Sequence, residues 1–218
     1  MSPFGQPPTS ASRYAGDNPI VRIIGDSNED EMVACFLLGE LTSARFGADL
    51  RRALAAAGQA ELLLTRADLA DPDANRARRA LLAETRGYGE NRDVFEDFPD
   101  RVRWIRAVLT PDELARVRYI EYSYWNELSG GSRLPGDAAE RIRAGVRVFD
   151  VPNGRFLAAA RAVRRGERFA PLILAGPRPE ELVCLEGHLR LTAYALAGFP
   201  PGVECLVGTA GAMERWAR

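Results

Sequence analysis

The sequence contains no lysine: all 29 basic residues of the 218-residue chain are arginine. Without lysine, no side chain can form a Schiff base, and the Gly-Lys-Ser/Thr end of a P-loop cannot be present. Phosphate or carboxylate groups must therefore be recognised by arginine or by backbone amides. The many alanine, glycine and proline residues indicate GC-rich coding as the simplest origin of this bias.

Histidine and cysteine are also scarce. The chain has one histidine, His188, and three cysteines, Cys35, Cys184 and Cys205, which lie in apolar stretches without CxxC spacing. This pattern indicates buried, reduced thiols and a cytoplasmic protein. One histidine without paired cysteines argues against a zinc site.

The chain has little net charge and no long apolar run. A net charge of -1 gives no long-range attraction for nucleic acid or anionic lipid. No segment approaches the apolar length that spans a membrane. Residues 1–18 have neither the basic start nor the apolar run of a signal peptide, and we expect them to form a flexible tail.

Residues 19–117 are predicted to form an α/β region. Their periodicity indicates a buried strand at 19–25, a long helix at 32–54, a strand at 62–64 and a helix at 74–85. Residues 26–28 offer N-caps, and the long helix has a potential break at Gly47. Thr110 and Glu113 form a capping box around Pro111. Alternation of strand and helix is typical of an α/β layer.

Two segments before the C-terminal region allow more than one interpretation. Residues 86–104 combine glycines, aromatics and charges without a clear period, as in a binding loop or an ordinary surface loop. Residues 119–125 hold the densest aromatic cluster, which is either core or the wall of a cleft: Tyr119, Tyr122, Tyr124 and Trp125. Arg133 follows in a glycine-rich turn and is a candidate anion contact.

The C-terminal region has the clearest pattern. It predicts a helix at 136–145, a helix from Asn153 to near Gly166, strands at 169–176 and 182–187, a helix at 189–198 and a strand at 203–208. The junction between the strand at 182–187 and the following helix carries the single histidine.

This junction predicts an anion site. A strand that ends in Gly187 and continues directly into a helix leaves backbone amides pointing at one spot, where the helix dipole favours an anion. Arg190 adds a planar donor fork suited to phosphate, and Glu186 can act as a metal ligand or base. The alternative is purely structural: Gly187 makes a tight turn, His188 caps the helix and Arg190 pairs with a surface acid.

The segment EGHLRLTAYALAG, preceded by FAPLILAG and RFLAAARAVRRGER, resembles the core of the ParB/sulfiredoxin-like superfamily. The residues that fill the pattern of that core are Pro171, Glu186, Gly187, His188, Arg190, Ala193 and Gly198. The resemblance covers roughly residues 118–208. It implies an α/β fold with a mixed sheet and helices for residues 118–218, with residues 19–117 as an extension packed on this core.

The resemblance implies nucleotide binding. Members of the superfamily include partition proteins that bind CTP, sulfiredoxins that use ATP, and free-serine kinases with an Asp-Gly-His-His-Arg motif. Sulfiredoxins carry cysteine where this chain has Gly187, so we do not expect the sulfiredoxin reaction. Partition proteins add a helix-turn-helix domain after the motif, and only a short strand and tail follow it in this sequence, so we do not expect centromere binding. The serine-kinase motif is closest, with Glu186 in place of aspartate and Leu189 in place of the second histidine.

We therefore predict a nucleotide-dependent phosphotransferase that acts on a small hydroxyl- or amino-acid-like molecule. The implied cofactors are ATP or another nucleotide and Mg²⁺, with Glu186 as the metal ligand. The residues predicted to hold the nucleotide are Gly187, His188, Arg190, Arg133 and Thr192.

The predicted catalytic residues are Glu127, Glu186 and His188, with Glu127 as the base that takes the acceptor proton and Glu121 as the second choice. An alternative is a nucleotide-binding regulatory module without turnover, which Leu189 favours. Nucleic-acid processing ranks last because the net charge is close to neutral. The expected partners are a nucleotide and a small-molecule acceptor, without a membrane; a homodimer is left open.

Overall fold

The computed structural model describes residues 21–217, so the predicted tail at residues 1–18 lies outside the described part of the chain. The strands are β1 (Arg22–Asp26), β2 (Arg103–Leu109), β3 (Arg118–Tyr119), β4 (Leu172–Arg178), β5 (Glu181–Glu186) and β6 (Val203–Thr209). The α-helices are α1 (Glu29–Leu41), α2 (Gly47–Ala56), α3 (Leu62–Thr65), α4 (Pro72–Arg86), α5 (Pro111–Arg116), α6 (Ser123–Leu128), α7 (Pro135–Arg143), α8 (Gly154–Arg164), α9 (His188–Ala197) and α10 (Glu214–Ala217). Short 3₁₀ helices lie at Asp93–Phe95 and Gly211–Met213.

One mixed sheet runs through the described residues, in the order β1-β2-β6-β4-β5-β3. β6 pairs antiparallel with β2 and parallel with β4, while β4 and β5 form an antiparallel hairpin. The predicted α/β class is confirmed. The predicted domain boundary after residue 117 stays a prediction, and backbone hydrogen bonds between β2 and β6 cross it.

The sheet is covered on both faces, because alternate residues of its central strands enter two separate cores. One core lies under α7, α8 and α9 and includes Ile142, Phe156, Leu172, Leu174, Leu191 and Val207. The other lies under α1, α2 and α4 and includes Phe36, Leu37, Leu54, Leu82, Ile173 and Leu206. Strands buried on both faces are apolar almost throughout, as β4 is from Leu172 to Ala175.

The helix ends follow local chemistry. The Asn28 side chain caps α1 by accepting a hydrogen bond from the Glu31 amide at 2.9 Å, and the predicted capping box of Thr110 and Glu113 is present at α5. The predicted helices at 74–85, 136–145, 153–166 and 189–198 are confirmed as α4, α7, α8 and α9. None of the helices within residues 21–217 is long and apolar enough to cross a membrane.

Two strand predictions were wrong in part or in whole. Residues 62–64 form the short helix α3, because Arg78 donates a hydrogen bond from Nη1 to the Leu63 carbonyl at 3.1 Å and ties this turn to α4. The strand predicted to be buried at 19–25 forms as β1 from Arg22, but it lies at the edge of the sheet with Ile23 and Ile24 about half exposed.

The remaining differences concern boundaries. The long helix predicted at 32–54 is two helices, and α2 begins at the predicted break, Gly47. β2 was missed because its sequence, RWIRAVL, buries residues on both sides without strict alternation. The segment at 86–104 packs on the molecule through the buried Phe95 and through Arg92, whose Nη2 donates to the Ala83 carbonyl at 2.6 Å.

Candidate functional site

The junction of β5 and α9 depends on the conformation of Gly187. Its φ of +104° lies in the left-handed region, and a Cβ there would come within 2.6 Å of Leu172 Cδ2 and 2.9 Å of Arg190 Nη2. Glycine is therefore required on two grounds, backbone conformation and space. Because Gly187 is the N-cap residue of α9, no side chain caps the first-turn amides, which remain at the positive end of the helix dipole.

Arg190 lies directly against this turn and forms an ion pair with Glu186. Its Nη2 donates to Glu186 Oε2, and its Nη1 donates to the Ala170 carbonyl at 3.4 Å. The two side chains are only 13% and 17% exposed, and burial lowers the pKa of Arg190. The structure therefore brings Glu186, Gly187 and Arg190 together, with the guanidinium engaged by the neighbouring carboxylate, and their role as a binding site stays a prediction.

Helix α1 covers this ion pair. A Cβ on Gly39 would lie 2.9 Å from Glu186 Cδ and 3.0 Å from both carboxylate oxygens, so the glycine allows the helix to approach the pair closely. Cys35 lies one turn earlier; burial raises the pKa of its thiol, and the charge of Arg190 opposes that rise. Sequence analysis did not assign Gly39 to the site. A glycine inside a helix was the available signal.

His188 begins α9 and lies in a stack of three rings. Its imidazole is 4.9 Å from the Trp125 ring and 6.2 Å from the Tyr119 ring, with interplanar angles of 15° and 22°. Burial lowers the pKa of His188 to about 3, and the charge of Arg86 acts in the same direction. The imidazole is therefore neutral at pH 7, and its buried Nε2 has no hydrogen-bond partner within the described residues.

The aromatic cluster thus divides between the two interpretations. Tyr119 is fully buried in the core, and the half-buried Trp125 packs against the rings of both Tyr119 and His188. Tyr122 is 39% exposed and faces outward. Tyr119 and Trp125 thus pack against His188 at the start of α9.

Thr192 supports the same stack. It is fully buried, and its hydroxyl donates to the His188 carbonyl at 2.8 Å and lies 2.8 Å from the Tyr119 hydroxyl. Since the threonine proton goes to the carbonyl, the tyrosine must be the donor to Thr192. The hydroxyl predicted to contact a nucleotide is thus used inside the fold, where it fixes His188 and Tyr119.

Arg133 and Glu127 come from the segment that contains and follows α6. Arg133 is buried, its Nε donates to the Tyr119 carbonyl at 2.9 Å, and burial lowers its pKa. Glu127 is exposed on α6, two residues after Trp125, and residues two apart on a helix do not share a face. The roles of both residues in binding or catalysis stay predictions.

A second polar site, which sequence analysis missed, lies between α1, α2 and α4. Glu40 and Arg86 meet there: Arg86 Nη1 donates to Glu40 Oε1 at 2.7 Å, and the guanidinium lies 4.1 Å from the centre of the Phe46 ring. Burial raises the pKa of Glu40 to about 7, against the opposing charge of Arg86. The two residues are 46 positions apart, so no sequence motif connects them.

The fit of a metal ion rests on Glu186. Within residues 21–217, no three His, Cys, Asp or Glu side chains are grouped so that they could hold a metal ion. Mg²⁺ is commonly held by one or two carboxylates together with substrate phosphates and water. Glu186 therefore fits an ion that arrives with a nucleotide, and does not by itself make a metal site.

Comparisons with protein-family models, with curated proteins and with solved structures find no match to this chain. The resemblance to the ParB/sulfiredoxin-like superfamily therefore stays a prediction from the motif residues.

Proposed function

We propose that the protein binds a nucleotide through its phosphates at the β5–α9 junction and transfers a phosphoryl group to a small hydroxyl- or amino-acid-like molecule. The observation that carries this proposal is the left-handed Gly187 turn, which brings the uncapped N-terminus of α9 beside the Arg190 guanidinium. Backbone amides at a helix start and a planar arginine fork are two groups that proteins use to hold phosphate.

The Glu186–Arg190 ion pair corresponds to a closed state of the proposed site, in which the carboxylate engages the guanidinium that a phosphate would use. In this state the carboxylate satisfies the guanidinium and keeps a buried positive charge from being unpaired. A nucleotide phosphate carries more negative charge than a carboxylate and competes for the same donors. Glu186, once displaced, would hold the Mg²⁺ that accompanies the phosphates, and the ion would neutralise part of their charge.

The remaining residues of the junction position the phosphate donors. His188 is neutral at pH 7, so it contributes ring stacking and hydrogen bonding and not charge. Phosphoryl transfer depends mainly on positioning and charge stabilisation, which such a rigid helix start supports. Glu127 remains the proposed acceptor base, with an exposed position on α6.

A second candidate function is nucleotide binding without turnover, as a regulatory module. Two observations favour it: Leu189 is apolar where the serine-kinase motif has histidine, and α1 lies against Glu186 through Gly39. Displacement of Glu186 would then press on α1 and shift the N-terminal region toward another conformation. The proposal in either form includes a cytoplasmic location, which the three free cysteines support, and leaves a homodimer open.

The test is a thermal-shift screen of ATP, ADP, CTP and GTP, with and without Mg²⁺, on the wild type, Arg190→Gln and Arg76→Gln. Arg76 is 65% exposed on α4 and serves as the matched control for the loss of one arginine. We expect one nucleotide to stabilise the wild type and Arg76→Gln but not Arg190→Gln. Equal stabilisation of all three proteins, or of none, would contradict the proposed site.

Turnover separates the two candidate functions. The nucleotide that binds is incubated with L-serine or glycerol as hydroxyl probes, and phosphorylated product is followed by ³¹P NMR. Product that disappears in Arg190→Gln supports the phosphotransferase. Binding without product under excess acceptor supports the regulatory module.

A further inference from the structure

A cavity of about 420 Å³ lies between α1, α2 and α4, on the face of the sheet where α1 packs. Its apolar wall is formed by Phe46, Leu50, Ala53 and Ala56. Its polar lining consists of three carboxylates and two guanidinium groups, together with Thr85: Glu40, Asp49, Glu84, Arg52 and Arg86. The volume is large enough for a small organic molecule.

The guanidinium groups around this cavity are already engaged. Arg52 forms an ion pair with Asp49, and Arg86 donates to Glu40 and lies over the Phe46 ring. Arg45, from the loop between α1 and α2, also lies over the Phe46 ring, 4.7 Å from its centre. The positive charges near the cavity are thus satisfied by groups of the protein.

Glu40 is different, because only half of its carboxylate is satisfied. The residue is 7% exposed, Oε1 accepts the hydrogen bond from Arg86, and the buried Oε2 has no partner within the described residues. A buried carboxylate oxygen without a hydrogen bond is costly, and polar groups of this kind are normally satisfied by a partner. A ligand with a hydrogen-bond donor would satisfy this carboxylate, and a cationic donor matches its charge best.

We propose that this cavity binds a small molecule with a primary ammonium or guanidinium group on a short carbon chain, and that Glu40 receives the cationic group. The carbon chain lies against the apolar wall, and the cationic group donates to the carboxylate. The Glu40 carboxylate, which has no donor on Oε2, would repel an anion in the same position. This inference goes beyond the proposed nucleotide site and does not rest on it.

The probes are four molecules with a short, unbranched alkyl chain: n-butylammonium, n-butylguanidinium, 1-butanol and butyrate. Binding is followed by ¹⁵N–¹H chemical-shift changes at the amides of Phe46, Leu50 and Ala53. We expect the two cations to bind the wild type and Glu140→Gln, an exposed carboxylate on α7 that controls for loss of charge. Glu40→Gln should weaken both cations at least about tenfold.

The pH dependence is a second readout. Glu40 titrates near pH 7 in the presence of Arg86 and Glu84 from α4, Asp49 and Arg52 from α2, and Arg45 from the loop. Cation affinity should fall as the pH drops from 8 to 6, because protonation removes the negative charge. The same pH change should leave the weak affinity of Glu40→Gln unaltered.

A third variant protects the test against misfolding of Glu40→Gln. Ala56→Leu narrows the rim of the cavity at an exposed helical position and leaves every charged group in place. It should also weaken the cations. Failure of either cation to bind the wild type, equal binding of 1-butanol, tighter binding of butyrate, or unchanged cation affinity in Ala56→Leu and Glu40→Gln would overturn the proposal.

Discussion

The β5–α9 junction and the α1–α2–α4 cavity place polar groups in the interior in different ways. At the junction, Arg190 is paired with Glu186 and the Thr192 hydroxyl is bonded within the fold. In the cavity, Glu40 is one of the lining residues, and its buried Oε2 has no hydrogen-bond partner within the described residues. The Glu186–Arg190 ion pair at the junction needs a competitor to open it, whereas the unsatisfied carboxylate oxygen of Glu40 only needs a donor.

The two regions also shift their titratable groups in opposite directions for the same reason. Burial disfavours the charged form, so it lowers the pKa of His188 to about 3 and raises that of Glu40 to about 7. Arg86 lowers the pKa of both groups and therefore lies within electrostatic reach of both regions. Helix α1 borders both regions, through Gly39 at the junction and Glu40 at the cavity.

The largest effect is expected from Gly187→Ala at the junction. Alanine at this position would be held in a left-handed backbone conformation, and its Cβ would overlap the buried Leu172 side chain. We expect a loss of about 3 kcal/mol in the free energy of unfolding. Gly198→Ala is the control: its φ is also left-handed, at +92°, but no atom lies within 4 Å of the new Cβ. Its expected cost is about 1 kcal/mol. Equal losses in urea denaturation would show that the junction is not tightly packed.

Stability against pH separates the two buried titratable groups. The unfolded state protonates His188 near pH 6.5 and the folded state only near 3, so the histidine costs stability as the pH falls below 6.5. Glu40 ionises near pH 4.5 in the unfolded state and near 7 in the folded state, so stability rises as the pH falls from 7 toward 4.5. As the pH falls from 6.5 to 5, each group changes the free energy of unfolding by about 2 kcal/mol: His188 lowers it and Glu40 raises it.

Single variants should expose these opposite slopes. Relative to the wild type, His188→Phe should gain stability as the pH falls from 6.5 to 5, because the glutamate remains and the cost of the histidine is gone. Glu40→Gln should lose stability over the same interval. Urea unfolding at pH 5, 5.75 and 6.5 measures both slopes. Parallel curves of unfolding free energy against pH for the two variants would contradict the opposite pKa shifts of His188 and Glu40.

A smaller effect is expected where α1 meets the junction. Alanine is favoured over glycine in a helix by about 1 kcal/mol, yet Gly39→Ala should not stabilise the protein, because its Cβ would overlap the Glu186 carboxylate. The stabilising effect of alanine at position 39 should appear when Glu186 is also replaced by Ala. A double-mutant cycle by urea denaturation measures this coupling, and additive effects would mean that α1 does not press on Glu186.

Much of the fold follows from local sequence chemistry. The cap at Thr110 and the break at Gly47 depend on neighbouring residues and were predicted, and the cap at Asn28 is one of the three candidates at residues 26–28. The edge position of β1 could not be predicted in the same way, because it depends on β2 pairing with both β1 and β6. Residues 62–64 offered too short a run for a period, and a long-range contact from Arg78 decided their structure.

The same distinction between local and long-range contacts applies to the candidate site. Glu186, Gly187, His188 and Arg190 all lie within residues 186–190, so one strand-to-helix turn brings them together and the sequence could predict their proximity. The Thr192 contact with Tyr119 spans 73 positions, and the Glu40 contact with Arg86 spans 46. Such contacts arise from the packing of helices on the sheet, which no local spacing records.

The measurement that tests the nucleotide site most directly is calorimetric titration without Mg²⁺ of the wild type, Glu186→Gln and Arg190→Gln with the nucleotide selected by the thermal-shift screen. If phosphate displaces Glu186 from Arg190, Glu186→Gln should bind more tightly than the wild type, by about tenfold, because the competing charge is gone. Arg190→Gln should not bind. Equal affinity of all three proteins, or absence of binding in both the wild type and Glu186→Gln, would contradict phosphate binding at the β5–α9 junction.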